Sequence, residues 1–235
     1  MSTLGNKSYI KALTDRVEQA NNVDEIVIIT TQLQEDNDIE DLCKANQLQC
    51  FRGSTYDLLD RHYQANKIYK GDYVLKIPSD CPFSDPQIIE EIVTSIKDSK
   101  SIDYASNYHP PTFPDGLDVE AVTSEVLEIA WAKAKEKHER EHTFPYIWDN
   151  PENFNIFNLA NKKGNMFKTH RWTVDYPEDL EFVSKVYSSF DYETSFRFDD
   201  ILNLLKDQPE LSLINSKYNG INWYRNVPGK LKTIF

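Results

Sequence analysis

Two aspartates sit where a carboxylate could do chemistry. Asp80 follows the apolar run Tyr73-Val74-Leu75-Lys76-Ile77, and Asp175 follows Arg171-Trp172-Thr173-Val174. Each is trailed by a proline at a helix start, Asp85-Pro86 in one case and Tyr176-Pro177 in the other. Ligands of open α/β sheets bind at the carboxyl ends of strands. Two carboxylates there could share one Mg²⁺, which takes one or two carboxylates together with substrate phosphates. The same spacing suits N-cap and turn residues before proline-started helices. Residue types alone leave both readings open.

Other clusters are less specific. Phe113-Pro114-Asp115-Gly116-Leu117-Asp118-Val119-Glu120 places three acids in a loop entering a strand, and Phe51-Arg52-Gly53-Ser54 with Asp60-Arg61 places two arginines near a strand end. His138-Glu139-Arg140-Glu141-His142 matches the HExxH pattern of zinc proteases. Charged residues fill the intervening positions, Pro145 follows closely, and no third ligand is evident, so we do not read it as a zinc site.

The elements that must position these residues alternate. Ile10, Leu13 and Val17 have helical spacing, and Glu25 to Thr30 is a β-branched strand. Residues 38–47 read as a helix and 49–52 as a short strand, after which Thr55 is expected to cap a third helix. A strand from Tyr73 to Ile77 leads to a helix capped by Asp85 with Pro86 at its first position. Residues 103–107, 117–123, 154–160 and 170–174 read as strands. Helices are expected from Ser124 to Ala134, from Pro177, and over residues 198–205. Such alternation predicts an α/β fold with a doubly wound sheet and a more mixed second half. One domain over residues 1–235 is expected, with a core of about 4–190 and a helical tail of about 191–235. Residues 218–235 carry no motif and are expected to pack against the domain.

Composition removes several function classes. Lys and Arg number 26 against 38 Asp and Glu, a formal charge of −12. A nucleic-acid or anionic-membrane surface would need clustered cations. No apolar run approaches the ~20 residues of a spanning helix, and no signal peptide is apparent. Cys43, Cys50 and Cys81 are odd in number and form no CxxC, which suits reduced thiols and a cytoplasmic protein.

In order along the chain, FRGSTYDLLDRHYQA, KIPSDCPFSDPQII, PDGLDVEAV, EREHTFPYI and HRWTVDYPEDLEFV resemble the SpsF-type spore-coat polysaccharide biosynthesis proteins. These belong with the cytidylyltransferases that make CMP-Kdo and CMP-sialic acids. The resemblance runs from about Leu4 to Tyr187. It implies a nucleotide-diphospho-sugar transferase fold, often dimeric, in which the hydroxyl of a sugar acid attacks CTP with Mg²⁺ as cofactor. It implies that Asp80 and Asp175 are the metal acids, which favours the functional reading of both. Arg171 would orient Asp175 or contact phosphate. Arg52, Arg61 and Ser79 fall on the nucleotide side. Asp115, Asp118, Glu120, Arg140 and His142 fall on the acceptor side. Within enzymes the alternative is a nucleotide-sugar-dependent glycosyltransferase of the same fold; outside them, a catalytically silent interaction subunit.

One departure stands out. The family opens with a strand and a loop of the form R-x-x-S-x-R-x-P-G-K, which wraps the triphosphate; here Leu4-Gly5-Asn6-Lys7-Ser8-Tyr9-Ile10 matches the segment after that loop. We expect a truncated product, a paralogue that has lost CTP binding, or cations supplied by another segment. The neighbours of that strand are expected to have exposed backbone edges. Pro78-Ser79 also stands where the family often has Thr-Gly.

Overall fold

A computed structural model describes residues 3–99, 101–223 and 231. A short hairpin, β1 (Thr3–Leu4) with β2 (Lys7–Ser8), leads into α1 (Tyr9–Val17), whose first turn is capped by Ser8. β3 (Val27–Thr31) and β4 (Gln49–Gly53) pair in parallel across α2 (Asn37–Ala45). α3 (Leu58–Tyr69) then leads to β5 (Tyr73–Lys76). Its cap is Asp57, which accepts from the Asp60 amide at 2.8 Å, and not Thr55: the Asp57 carboxylate reaches the free amides one turn on.

β5, β6 (Tyr104–Ser106), β7 (Glu120–Thr123) and β8 (Ile156–Asn158) form a mixed sheet in the order β5-β7-β6-β8. β7 runs antiparallel to both neighbours, and β6 is parallel to β8. Among the described residues β3 pairs only with β4, and β5 only with β7.

Neighbouring side chains of one strand point to opposite faces, and this separates two cores. Ala105 and Ala121 enter a cluster built by α1, α4 (Pro86–Asp98), α8 (Pro177–Ser189) and α9 (Phe198–Asp207). Tyr104 and Val122, the next residues along, enter a second cluster with Leu59 of α3, α5 (Ser124–Lys133) and α7 (Pro145–Trp148). Helices therefore cover both faces. On α4 the buried stripe is Ile88, Ile89, Ile92, Val93 and Ile96, each contributing about 1.5–3 kcal/mol by leaving water. Asp85 caps that helix through the Gln87 and Ile88 amides.

Two expected strands change. Residues 117–119 lie outside β7 because the Asn107 side chain takes over their pairing, donating to the Leu117 carbonyl and accepting from the Val119 amide. Residues 170–174 form no strand beyond a bridge between Asp115 and Arg171. Their amides are drawn to two different loops: Trp172 donates to the Asp115 carbonyl at 2.7 Å, and Val174 to the Asp80 carbonyl at 3.0 Å.

Candidate active site

Those two bonds build the site. They hold the segment carrying Arg171 and Asp175 against the Asp80 loop on one side and the Asp115 loop on the other. Thr173 Oγ1 adds a bond to the same Asp80 carbonyl. Gly116 makes the second contact feasible. Its φ is +109°, and a Cβ there would lie 2.4 Å from the Thr173 nitrogen, so no side chain fits.

The Asp80 loop is held from behind. Buried Arg16 donates to the carbonyls of Ser84 at 3.0 Å and Thr194 at 3.1 Å, and its guanidinium lies over the Phe196 ring. Tyr187 Oη donates to the Pro82 carbonyl at 2.8 Å, and Ser84 Oγ to that of Cys81. Neither candidate acid is a helix cap. α4 is capped by Asp85, and at the start of α8 Asp179 accepts from the Asp175 and Tyr176 amides.

Asp80, Asp115, Asp118, Glu120 and Asp175 line one cavity of about 290 Å³, with Lys76, His142, Tyr108, Trp148, Thr173 and Trp223 among its other walls. Burial, and then repulsion from Asp175, pushes the Asp80 carboxyl above its ordinary range. Asp115 is pushed up to about 7 by burial, which the Arg171 charge opposes only in part. Asp118 is raised well above the carboxylate range by burial, with Asp115 and Asp80 adding to it. Glu120 is the satisfied member: Lys76 Nζ lies 2.6 Å away and Tyr104 Oη donates to it at 2.6 Å. His142 is brought down to about 4 by burial and the nearby Lys76 charge, so it is neutral at pH 7.

Arg171 is the hub. Its fork meets Asp179 twice at 2.9 Å, Asp175 at 2.6 Å and Asp115 at 3.4 Å, and it donates to the Ile221 carbonyl at 2.9 Å. Burial works against its charge, and the bonds to Asp179 and Asp175 more than restore it.

The remaining expected residues are spread more widely. Arg52 spends its guanidinium on the Thr31 and Leu33 carbonyls, Asn37 and Glu40, which fixes the loop after β3. Arg61 packs its stem beside Gly53, and its Nε is buried without a hydrogen bond. Arg140 pairs with Asp57 at 2.6 Å and donates to the Trp131 carbonyl, which ties α6 (Lys137–Glu141) to the start of α3. Ser79 is exposed beside Asp80. Asp179 and Trp223 were not singled out from sequence. The signal for Asp179 was its place in Tyr176-Pro177-Glu178-Asp179, three residues beyond the cap residue. Trp223 has no local signal.

Asp80 and Asp175 offer the oxygen donors that suit Mg²⁺, and their repulsion is what a cation between them would relieve. Among the described residues no group of three or more His, Cys, Asp or Glu forms a ready-made metal cage, so substrate oxygens and water would complete the shell. Arg171 already holds one Asp175 oxygen, which leaves the other for a metal. Among the described residues no helix is long and apolar enough to cross a membrane.

The family described as Cytidylyltransferase matches residues 1–206. A Methanocaldococcus jannaschii protein, MJ1063, is 33% identical over 213 residues, covering 91% of this chain and 86% of its own. The spore coat polysaccharide biosynthesis protein SpsF of Bacillus subtilis is 26% identical over 88% of this chain and 87% of its own. A solved cytidylyltransferase from Leptospira borgpetersenii superposes with a TM-score of 0.84 at 28% identity, covering 89% of this chain and 87% of that one. CMP:2-keto-3-deoxy-manno-octonic acid synthetase shares the fold, with a TM-score of 0.62 at 15% identity over 80% of this chain and 90% of that one.

Proposed function

We propose that this chain, which belongs to the cytidylyltransferase family and is a nucleotidyltransferase, transfers a cytidylyl group from CTP to a hydroxyl of a sugar destined for a surface polysaccharide. The observation that carries the reading is the convergence of Asp80, Asp175, Asp115 and Asp118 on one cavity. The acceptor oxygen would form a bond to the α-phosphorus. The bond between that phosphorus and the oxygen bridging to the β-phosphorus would break, and pyrophosphate would leave with the electron pair. The released proton needs an acceptor, and the Asp115 carboxylate in the same cavity is suited to take it. Mg²⁺, held by Asp80 and Asp175, would supply positive charge opposite the phosphate oxygens. Arg171 orients Asp175 from behind.

Similarity to SpsF supports a polysaccharide pathway, and the fold shared with the CMP:2-keto-3-deoxy-manno-octonic acid synthetase supports a sugar acid as acceptor. A homodimer acting in the cytoplasm is part of the same reading. Calorimetric titration of CTP with and without Mg²⁺ into the 235-residue chain and into Asp80→Ala tests it. Binding that needs both the metal and Asp80, with pyrophosphate released once an acceptor is added, is the expected result. UDP-sugar binding without pyrophosphate release would replace it with a glycosyltransferase. Metal-independent behaviour identical in Asp80→Ala would leave a silent subunit.

A further inference from the structure

The inner face of α1 carries a hydroxyl that the fold itself does not use. Tyr9, Ala12, Leu13 and Arg16 recur at helical spacing, and the last three are buried. Arg16 donates to the Ser84 carbonyl, beyond Asp80 in its loop. Tyr9 stands seven residues before Arg16, about 10 Å back along the helix at 1.5 Å per residue. There the groups whose charges bear most on its phenol are Cys81 and Asp80, followed by Tyr187 and Asp175.

Two tyrosines thus stand by one loop, and they differ. Tyr187 Oη donates to the Pro82 carbonyl at 2.8 Å. Tyr9 Oη is buried and has no hydrogen-bond partner among the described residues. The Tyr9 ring packs against the core cluster that holds Leu13 and Phe83, which a phenylalanine would serve as well. A buried donor without a partner is a standing cost to the fold. Asp80, one of the acids it feels most, has the Cys81 thiol 3.8 Å from its Oδ1, and a thiol is a weak donor. A carboxylate that gives one oxygen to a cation is kept in place by a hydrogen bond to the other, and losing such an outer partner weakens metal binding by about tenfold or more.

We propose that Tyr9 is a positioning residue for Asp80: its hydroxyl donates to the Asp80 carboxylate when that acid holds a cation. This rests on the reading of Asp80 and Asp175 as the metal acids, and it adds a residue of α1 to the transfer site.

Melts without metal, and Mn²⁺ titration followed by electron paramagnetic resonance with and without CTP, test it on the unaltered chain, Tyr9→Phe and Tyr187→Phe. Calorimetric titration of CTP with Mg²⁺ runs alongside. Tyr9→Phe deletes an unpaired donor, so it should melt no lower than the unaltered chain while binding Mn²⁺ about tenfold more weakly. Tyr187→Phe strips the Pro82 carbonyl of its donor and should melt lower. A drop in melting temperature for Tyr9→Phe as large as that for Tyr187→Phe would mean that the hydroxyl serves the fold. Equal Mn²⁺ affinity in Tyr9→Phe would mean that Asp80 needs no such partner. Either result overturns the assignment of Tyr9. Absence of CTP binding in every chain, with the tenfold difference in Mn²⁺ affinity intact, would sustain that assignment and sink the transferase reading. No Mn²⁺ binding by the unaltered chain would overturn both.

Discussion

Asp179→Asn tests the scaffold of the site with the least change in shape. The native carboxylate is fully buried and accepts five hydrogen bonds: two from Arg171, one from Asn215, and one each from the Asp175 and Tyr176 amides. Every partner is a donor, so an amide NH₂ group must face a donor whichever way it is turned. It also leaves the buried Arg171 without its main counter-charge. Breaking a buried pair from one side costs about 3–5 kcal/mol. For a chain of this length about 1 kcal/mol shifts the melting temperature by roughly 2–4 °C, so a drop of roughly 6–20 °C is expected. The acid limb adds a signed check. Arg171 and the amides hold the folded Asp179 carboxyl below its ordinary value against the effect of burial. The unfolded chain therefore binds more protons near pH 3.8. The contribution of Asp179 is present above that pH and is lost as pH falls through the lower folded value. Thermal melts of both chains from pH 7 to pH 3 read this directly, and the gap between them should narrow at the acid end. A shift under about 2 °C at pH 7, or a gap that widens with acid, would refute the account of Arg171 and Asp179 as the hub.

Gly116→Ala forces a side chain into a positive-φ position 2.4 Å from the Thr173 nitrogen. A loss of about 2–4 kcal/mol in denaturant melts is expected, together with weaker metal-dependent CTP binding, because the Asp175 segment must move. His62, buried with its Nδ1 2.8 Å from the Leu58 carbonyl, is brought down to about 3 mainly by burial. Since the unfolded group takes up its proton near pH 6.5, stability should fall as pH drops from 6.5 toward 3. His62→Gln should flatten that limb in urea melts. Asp80→Ala is expected to lower CTP turnover at least about a hundredfold while leaving the melting temperature within about 4 °C, since its carboxylate is strained by Asp175 and the loop is held through backbone carbonyls.

Part of this was legible in the residues. The β-branched run around Val27–Thr31, the Asp85-Pro86 start of α4 and its isoleucine stripe follow local rules of period and capping, and they fold as those rules say. Asp80 and Asp175 stood out as candidates because they follow apolar runs and because the ordered motifs resemble a cytidylyltransferase, and folding brings both to one cavity. Other features depend on partners far along the chain. Residues 170–174 have strand composition, yet their amides go to the carbonyls of Asp80 and Asp115, so they stitch loops and join no sheet. By resemblance Arg52 falls on the nucleotide side and Arg140 on the acceptor side, yet both are used up on carbonyls and acids that only folding brings near. Trp223 reaches His142 and Tyr108 across more than eighty residues, and no periodicity encodes that. Sequence by itself determined the elements whose signals are local, such as β3 and α4, and which carboxylates followed apolar runs, because those depend on neighbours within a turn or two. Tertiary structure alone decided which charges were left for a substrate, because burial and pairing are set by groups the chain brings together only after folding.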